Sequence, residues 1–393
     1  YNGSVKVWPM LKIIFDSVGI MKRMFSGAVE RWTEQGRPQY IAYVEAWQER
    51  SWRELPTVEI LGGARELTEA AVDAYGSLVS GVIPAAWISE GLFTLAYKLV
   101  KRRDDPPAPV FLMGYDSLPI RAEKSLYDLA QWARNDDGLA AYLHDTPAQQ
   151  LAGQLSDLQS PAGIAGSIWR EWQTRFAQHL HTYGHTIYNL DFANPVPADD
   201  PAPLLDTLKL FLSGAGVDPH ARQQEAAARR EEAAQTIFTR LRGIRLKLFS
   251  KSLARAQRYA PLREDGLADV GLSYPLLRQM LLEIGRRFTE ANAIERLEDI
   301  FWLIGEEVEQ AAAQLDRQEP LANLSAAIPE RKATGRAAKR VAPPLMLPQL
   351  KLFGADLQQL KSGRGKKMTD CLKGVPASAG SVTATACVVH GPE

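Results

Sequence analysis

Apolar residues recur three or four positions apart through most of this chain and alternating runs are few, so the sequence is committed to helices more than to any other element. Leu11, Ile14, Phe15, Val18 and Met21 form one stripe, Leu67, Ala70, Ala71, Ala74 and Leu78 a second, and Leu126, Leu129, Ala130 and Ala133 a third. Each covers one helix face. Ile164, Ile168, Trp172, Phe176 and Leu180 extend the pattern, and Gly184 stands where a glycine ends a helix. A loop through Asn194-Pro195 and Pro201 follows. The longest element is expected over residues 222–259, with an Ala-rich, charge-laced start and then Ile237, Phe238, Leu241, Ile244 and Leu248 on its buried face. One more helix is expected through Leu277, Met280, Leu281, Ile284 and Phe288, and another over residues 306–315.

The pattern changes after residue 328. Arg331, Lys332, Arg336, Lys339 and Arg340 are followed by Pro343-Pro344, Pro348 and Gly363-Arg364-Gly365-Lys366-Lys367, which is linker chemistry. Beyond it, Gly374, Pro376 and Gly380 mark a turn, and the β-branched run over residues 382–389 reads as a strand. The expected organisation is a helical domain over residues 1–328, a basic linker over 329–367, and the beginning of a β-containing domain over 368–393. The expected fold class is accordingly mainly α, with one β-strand opening the second domain.

Composition narrows function. The 46 Lys and Arg balance the 46 Asp and Glu, which argues against nucleic acid or an anionic membrane as the main partner. Two cysteines, Cys371 and Cys387, are too few for a disulfide framework, and a reducing, cytoplasmic setting fits them. The apolar windows over residues 5–21 and 79–97 are interrupted by Lys6, Lys12 and Asp16 and by Pro84 and Glu90, so neither reads as a membrane span. No signal peptide is expected at the start. Tyr1 in place of Met, and an end at Glu393 just after a β-rich run, suggest a piece of a longer polypeptide.

Few constellations carry chemistry by themselves. His179, His181 and His185 have the residue type of a zinc site, but positions 179 and 181 point about 200° apart on a helix and nothing nearby completes a tetrahedral shell. Gly363-Arg364-Gly365-Lys366 lacks the spacing and the following Ser or Thr of a phosphate loop. Arg263-Glu264-Asp265 and the helix bearing Arg278, Arg286 and Arg287 offer planar guanidinium forks, which suit phosphate, carboxylate or an ordinary solvated ion-pair face. The nine tryptophans either fill helix contacts or line an apolar ligand pocket.

Three stretches in order resemble the phosphoenolpyruvate-utilising enzymes, in particular the rifampicin phosphotransferase and phosphoenolpyruvate synthase branch. The first is Tyr183-Gly184-His185, Asp191 and Asn194-Pro195; the second runs from Ala254-Arg255 through Arg263-Glu264 and Arg278 to Asp299 and Glu306; the third is Gly374, Pro376, Ser378 and Gly380. The third is similar to the opening of the family's swivelling phosphohistidine domain. The resemblance implies that this chain is the central helical, substrate-binding part of an ATP-dependent phosphotransferase, joined to the first β-strand of a swivelling β/α domain. ATP and Mg2+ would bind outside this chain, in an ATP-grasp domain of the same polypeptide. The acceptor would be pyruvate or an apolar hydroxyl compound.

Carried over by position, Arg263 and Glu264 match an Arg-Glu pair near the acceptor, with Arg263 offsetting phosphate charge and Glu264 taking the acceptor proton. His185, Asp191 and Arg278 would bind substrate. Two positions depart from the pattern: Leu267 stands where the antibiotic-modifying relatives have a basic residue, and Thr186 where the family has Arg. The carrier histidine and the ATP-grasp sequence lie outside the chain, and His390 lacks the paired glycines of the carrier segment. The chain alone is therefore expected to be inactive. The competing expectation is a non-catalytic helical ligand-binding or interaction module derived from the same family.

Overall fold

The computed structural model describes Gly27, residues 29–187 and 190–341, and the backbone of two short strands. The chain divides into two units at Arg331, and the site described below lies wholly in the first, Tyr1–Arg331. A π-helical turn at Trp32–Gly36 leads into α1 (Arg37–Gln48), and a 3-10 turn at Trp52–Glu54 leads into α2 (Thr57–Ser77). Helix α2 continues without interruption through a second π turn, Leu78–Val82, into α3 (Ile83–Lys98). Pro56 offers no side-chain cap to α2, so the amides of Thr57 and Val58 donate to Asp316, 2.8 Å away in each case. A carboxylate here satisfies orphan donors and complements the positive end of the helix.

The middle of the chain forms α4 (Leu118–Ala133), α5 (Asp137–Asp145), α6 (Ala148–Gln154), α7 (Gly166–Tyr183) and α8 (Ala202–Leu212). Then come α9 (Pro219–Arg240), α10 (Gly243–Asp269), α11 (Tyr274–Glu290), α12 (Gly305–Asp316) and α13 (Ile328–Lys339). The apolar stripes meet in three clusters. The first joins α1, α2, α11 and α12 around Leu67, Leu78, Met280, Ile284 and Phe288. The second joins α4 to α8 around Trp169, Trp172 and Phe176, whose rings stack in series along α7. The third locks α3 to α9 and α10 through Phe93, Tyr97, Phe111 and Phe249, with ring centroids 4.8 to 6.2 Å apart.

Residues 57–98 make one 42-residue run long and apolar enough to cross a membrane. Helices α11 and α12 pack against its α2 part and α10 packs along its α3 part, and 39% of its most apolar window is buried.

Three expectations need correction. The domain is a mainly helical, multi-helix one, and among the described residues no strand of a β/α domain is present. The strand pairing described is a two-residue antiparallel contact, Lys351–Leu352 with Ala355–Asp356, upstream of the expected strand. Residues 382–389 themselves lie outside the described residues, as does the Leu11-to-Met21 stripe. The single long element expected over residues 222–259 is two helices. The backbone turns extended at Leu241 and Arg242, and Gly243 takes a φ of +60°, a conformation open to glycine. Finally, residues 328–339 of the basic stretch are helical, because Glu, Lys, Arg and Ala outnumber the breakers there.

Candidate functional site

Helix α3 is apolar on more than one face. Phe93 and Tyr97 point into the third cluster, while Ile88, Leu92, Leu95 and Leu99 point away from it. Ile244 and Leu248 of α10 stand beside them, and the two helices together wall a cavity of about 860 Å³ with Ala85, Ser89 and Ala96 at its base. Exposure here is high for large apolar groups, 60% at Leu95, 68% at Leu99 and 84% at Ile244. A contiguous strip of exposed large apolar side chains on a helix marks a candidate binding surface. The size suits a small organic ligand.

The opposite wall is cationic. Lys247, Lys251, Arg255 and Arg258 line it from α10, with Glu30 the one carboxylate in the lining. Arg258 lies 3.3 Å from Glu30 Oε1. Glu30 Oε2 is buried with no hydrogen-bond partner among the described residues.

A second recess of about 780 Å³ shares Leu95 with the first and is completed by Trp87, Glu90, Thr94, Lys98 and Arg263. Arg263 Nε and Nη2 donate to Glu264 Oε1 at 3.0 and 2.8 Å, and Nη1 is 3.7 Å from Glu90 Oε2. The pair is half-exposed, and Glu264 Oε2 keeps no partner among the described residues. Pro261, two positions earlier, removes one backbone donor from the helix. Asp265, next in sequence, is occupied differently: it accepts from the Leu118 amide at 2.5 Å, at the start of α4. Leu267 is exposed.

His185, Asp191 and Arg278 lie elsewhere, each in or against the loop between α7 and α8. Arg278, buried on α11, donates to the carbonyls of Phe192 at 2.8 Å and Ala193 at 2.5 Å, and its Nε is 2.9 Å from Asp199 Oδ2. The guanidinium also lies 5.0 Å over the Phe301 ring. Burial pushes the Asp199 carboxyl up despite this neighbour. Asp191 Oδ1 accepts from the Ala193 amide at 3.0 Å, and the Tyr274 hydroxyl donates to the Leu190 carbonyl at 3.2 Å. The loop is thus clipped to α11 at several points.

His185 is buried at the root of this loop, and burial holds its imidazole pKa below the usual histidine value, with Asp269 pulling the other way. Its carbonyl leaves no room for a side chain at position 271, where a Cβ would lie 2.0 Å from the oxygen. Arg263 thus faces an open recess with half-exposed Glu264 bonded to it, whereas His185 and Arg278 are set into the protein body. His179 lies on α7 between Phe176 and Tyr183, with Nδ1 3.0 Å from Ser125 Oγ, and burial lowers its pKa to about 4. Among the described residues no three His, Cys, Asp or Glu side chains gather closely enough to hold a metal ion.

The groove residues Leu92, Leu99, Ile244, Lys247 and Lys251, and Glu90 beside Arg263, were not among the sequence-derived candidates. Two signals point to them: apolar residues in the stretch over residues 79–97 fall on more than one helix face, and residues 243–263 hold cations without a single carboxylate.

Residues 76–264 match the family described as the rifampicin phosphotransferase fourth domain. The matched stretch contains all of α3, both walls of the groove except Glu30, and the Arg263–Glu264 pair at its end. The chain is also similar to chondramide synthase cmdD of Chondromyces crocatus, at 23% identity over 300 residues that cover 74% of this chain. It spans only 7% of that relative's length. The groove and the Arg-Glu pair lie in a mainly helical domain with a distant match to the rifampicin phosphotransferase fourth-domain family.

Proposed function

We propose that this domain binds the acceptor of a phosphotransferase that works through a phosphohistidine relay. The observation that carries this reading is an apolar groove that shares Leu95 with the recess lined by Arg263, the partner of half-exposed Glu264, both within the stretch similar to the rifampicin phosphotransferase domain. The groove holds the apolar body of a hydroxyl compound. In the transfer, the P–N bond of the carrier phosphohistidine breaks, an O–P bond forms to the acceptor, and the hydroxyl proton passes to Glu264. Arg263 offsets the charge on the transferring phosphoryl oxygens. Catalysis of this kind rests on positioning and charge stabilisation. The ATP-grasp and carrier domains belong to other parts of the same polypeptide, with ATP and Mg2+ bound there, and a cytoplasmic location follows from that nucleotide requirement. In this arrangement Arg278, Asp191 and His185 support the site by holding the 190–199 loop.

The test is Glu264→Ala in the full-length protein. Acceptor phosphorylation is expected to fall by about 100-fold or more, in the range of a lost general base, with autophosphorylation of the carrier histidine intact. Unchanged acceptor turnover would remove Glu264 from the mechanism. One observation favours a second reading, a ligand-binding module without transfer: Leu267, one turn beyond Glu264, presents an exposed apolar side chain where the resemblance implies a basic one. In that case the groove still binds, and neither Glu264 nor Arg263 affects any turnover.

A further inference from the structure

The charge on the groove is lopsided in a chain whose overall charge is zero. Over residues 243–263 there are six cationic side chains, Arg245, Lys247, Lys251, Arg255, Arg258 and Arg263, and no carboxylate. Lys247, Lys251, Arg255 and Arg258 follow one face of α10 at intervals of three or four residues and line the cavity opposite Leu92, Leu95 and Leu99. At 1.5 Å per residue this rail is about 16 Å long. Arg258 is matched by Glu30. Lys247, Lys251 and Arg255 have no ion-pair partner among the described residues.

A cationic face on a surface helix is ordinarily solvated. Here it borders a strip of exposed leucine and isoleucine, so one ligand of suitable shape meets both. We propose that the groove selects an anionic amphiphile: a single small molecule with an elongated apolar body against α3 and one carboxylate or phosphate held by Lys247, Lys251 and Arg255. This rests on the acceptor-binding reading and specifies the substrate class for it. The ammonium groups of Lys247 and Lys251 act as mobile point charges and Arg255 adds a planar fork that suits carboxylate and phosphate alike, so the rail reads charge and accepts either head group. The apolar strip supplies most of the affinity, and the rail supplies discrimination between head groups.

Calorimetric titration of the 393-residue chain with decanoate, decanol and decyltrimethylammonium, all below micelle formation and at low salt, tests this directly. Decanoate is expected to bind about tenfold more tightly than decanol, as several weak exposed ion pairs together would give, with the cationic amphiphile weakest. The preference should shrink as salt is raised. A Lys247→Ala, Lys251→Ala, Arg255→Ala triple variant should bring decanoate down to the affinity of decanol, leave decanol unchanged, and keep the melting temperature of the parent. Equal binding of all three probes, or a decanoate preference that survives the triple variant, overturns the anion inference while leaving an apolar acceptor groove in place. Failure of all three to bind overturns the acceptor-groove reading as well. Binding to phosphatidylserine vesicles without binding of monomeric decanoate would show that the surface reads a membrane, and would also overturn the proposal.

Discussion

Arg278 and Arg263 sit on neighbouring helices fifteen positions apart in sequence, and they have opposite surroundings. Arg278 is shut between two carbonyls, Asp199 and the Phe301 ring, and everything around it is arranged to hold one loop in place. Arg263 meets Glu264 and Glu90 at the edge of an open recess, with solvent on one side. The same guanidinium is enclosed in the first setting and partly open to solvent in the second. Residue type is common to both. What separates them is the packing, and packing is decided by helices distant in sequence.

The largest effect that would sharpen the contrast is at Arg278. Replacing it with Ala leaves Asp199 buried without its counter-charge, and breaking a buried pair from one side costs about 3–5 kcal/mol. Urea denaturation of the Arg278→Ala variant should show a loss of that order. A loss below about 1 kcal/mol, the range of exposed pairs, would erase the distinction.

Next in size is the pH response of the packed side. The His179 pKa falls from 6.5 to about 4 on folding, so its neutral form is favoured in the native state and its contribution is fully present above pH 6.5. As pH drops from 6.5 towards 4 the unfolded chain takes up the proton first, and stability declines by on the order of 3 kcal/mol. His185 shifts in the same direction, and Asp199, whose pKa is raised by burial, opposes them as it protonates. Thermal melts across that window should flatten in His179→Gln. An unchanged slope would mean that His179 is not the group responsible.

The smallest stability effect is expected at Arg263. Its partners are half-exposed, and Arg263→Ala should move stability by less than about 1 kcal/mol while lowering acceptor turnover in the full-length protein. A large stability loss would place Arg263 with Arg278 as part of the framework.

The helical period made much of this architecture legible. Leu67, Leu126, Leu129, Trp172 and Phe176 were marked by spacing alone and are buried. The break at Gly243 was hidden because apolar residues continue on both sides of it, so period alone joined α9 to α10. The β/α expectation joined a run of valine and threonine to a resemblance, and that run, residues 382–389, lies outside the described residues. For the site, Arg263 and Glu264 were visible as a pair, but the groove beside them was not. Leu92 and Phe93 are adjacent, equally apolar and equally helical, yet one faces the open cavity and the other is wholly buried among aromatic rings. Only the placement of α10 separates them.

The π turn at Leu78–Val82 sets the angular register between the two halves of this rod. A π turn carries one residue more than an α turn, and each residue advances the side chains by about 100°. Counting that extra residue, Leu67, Leu78, Phe93 and Tyr97 fall within about 40° of one azimuth, although they belong to different clusters. An uninterrupted α-helix would carry Phe93 and Tyr97 about 80° to 120° away from Leu67. The single extra residue thereby keeps the aromatic contacts of α3 in line with the core contacts of α2 and leaves Leu92, Leu95 and Leu99 on the far side of the rod, where they line the groove.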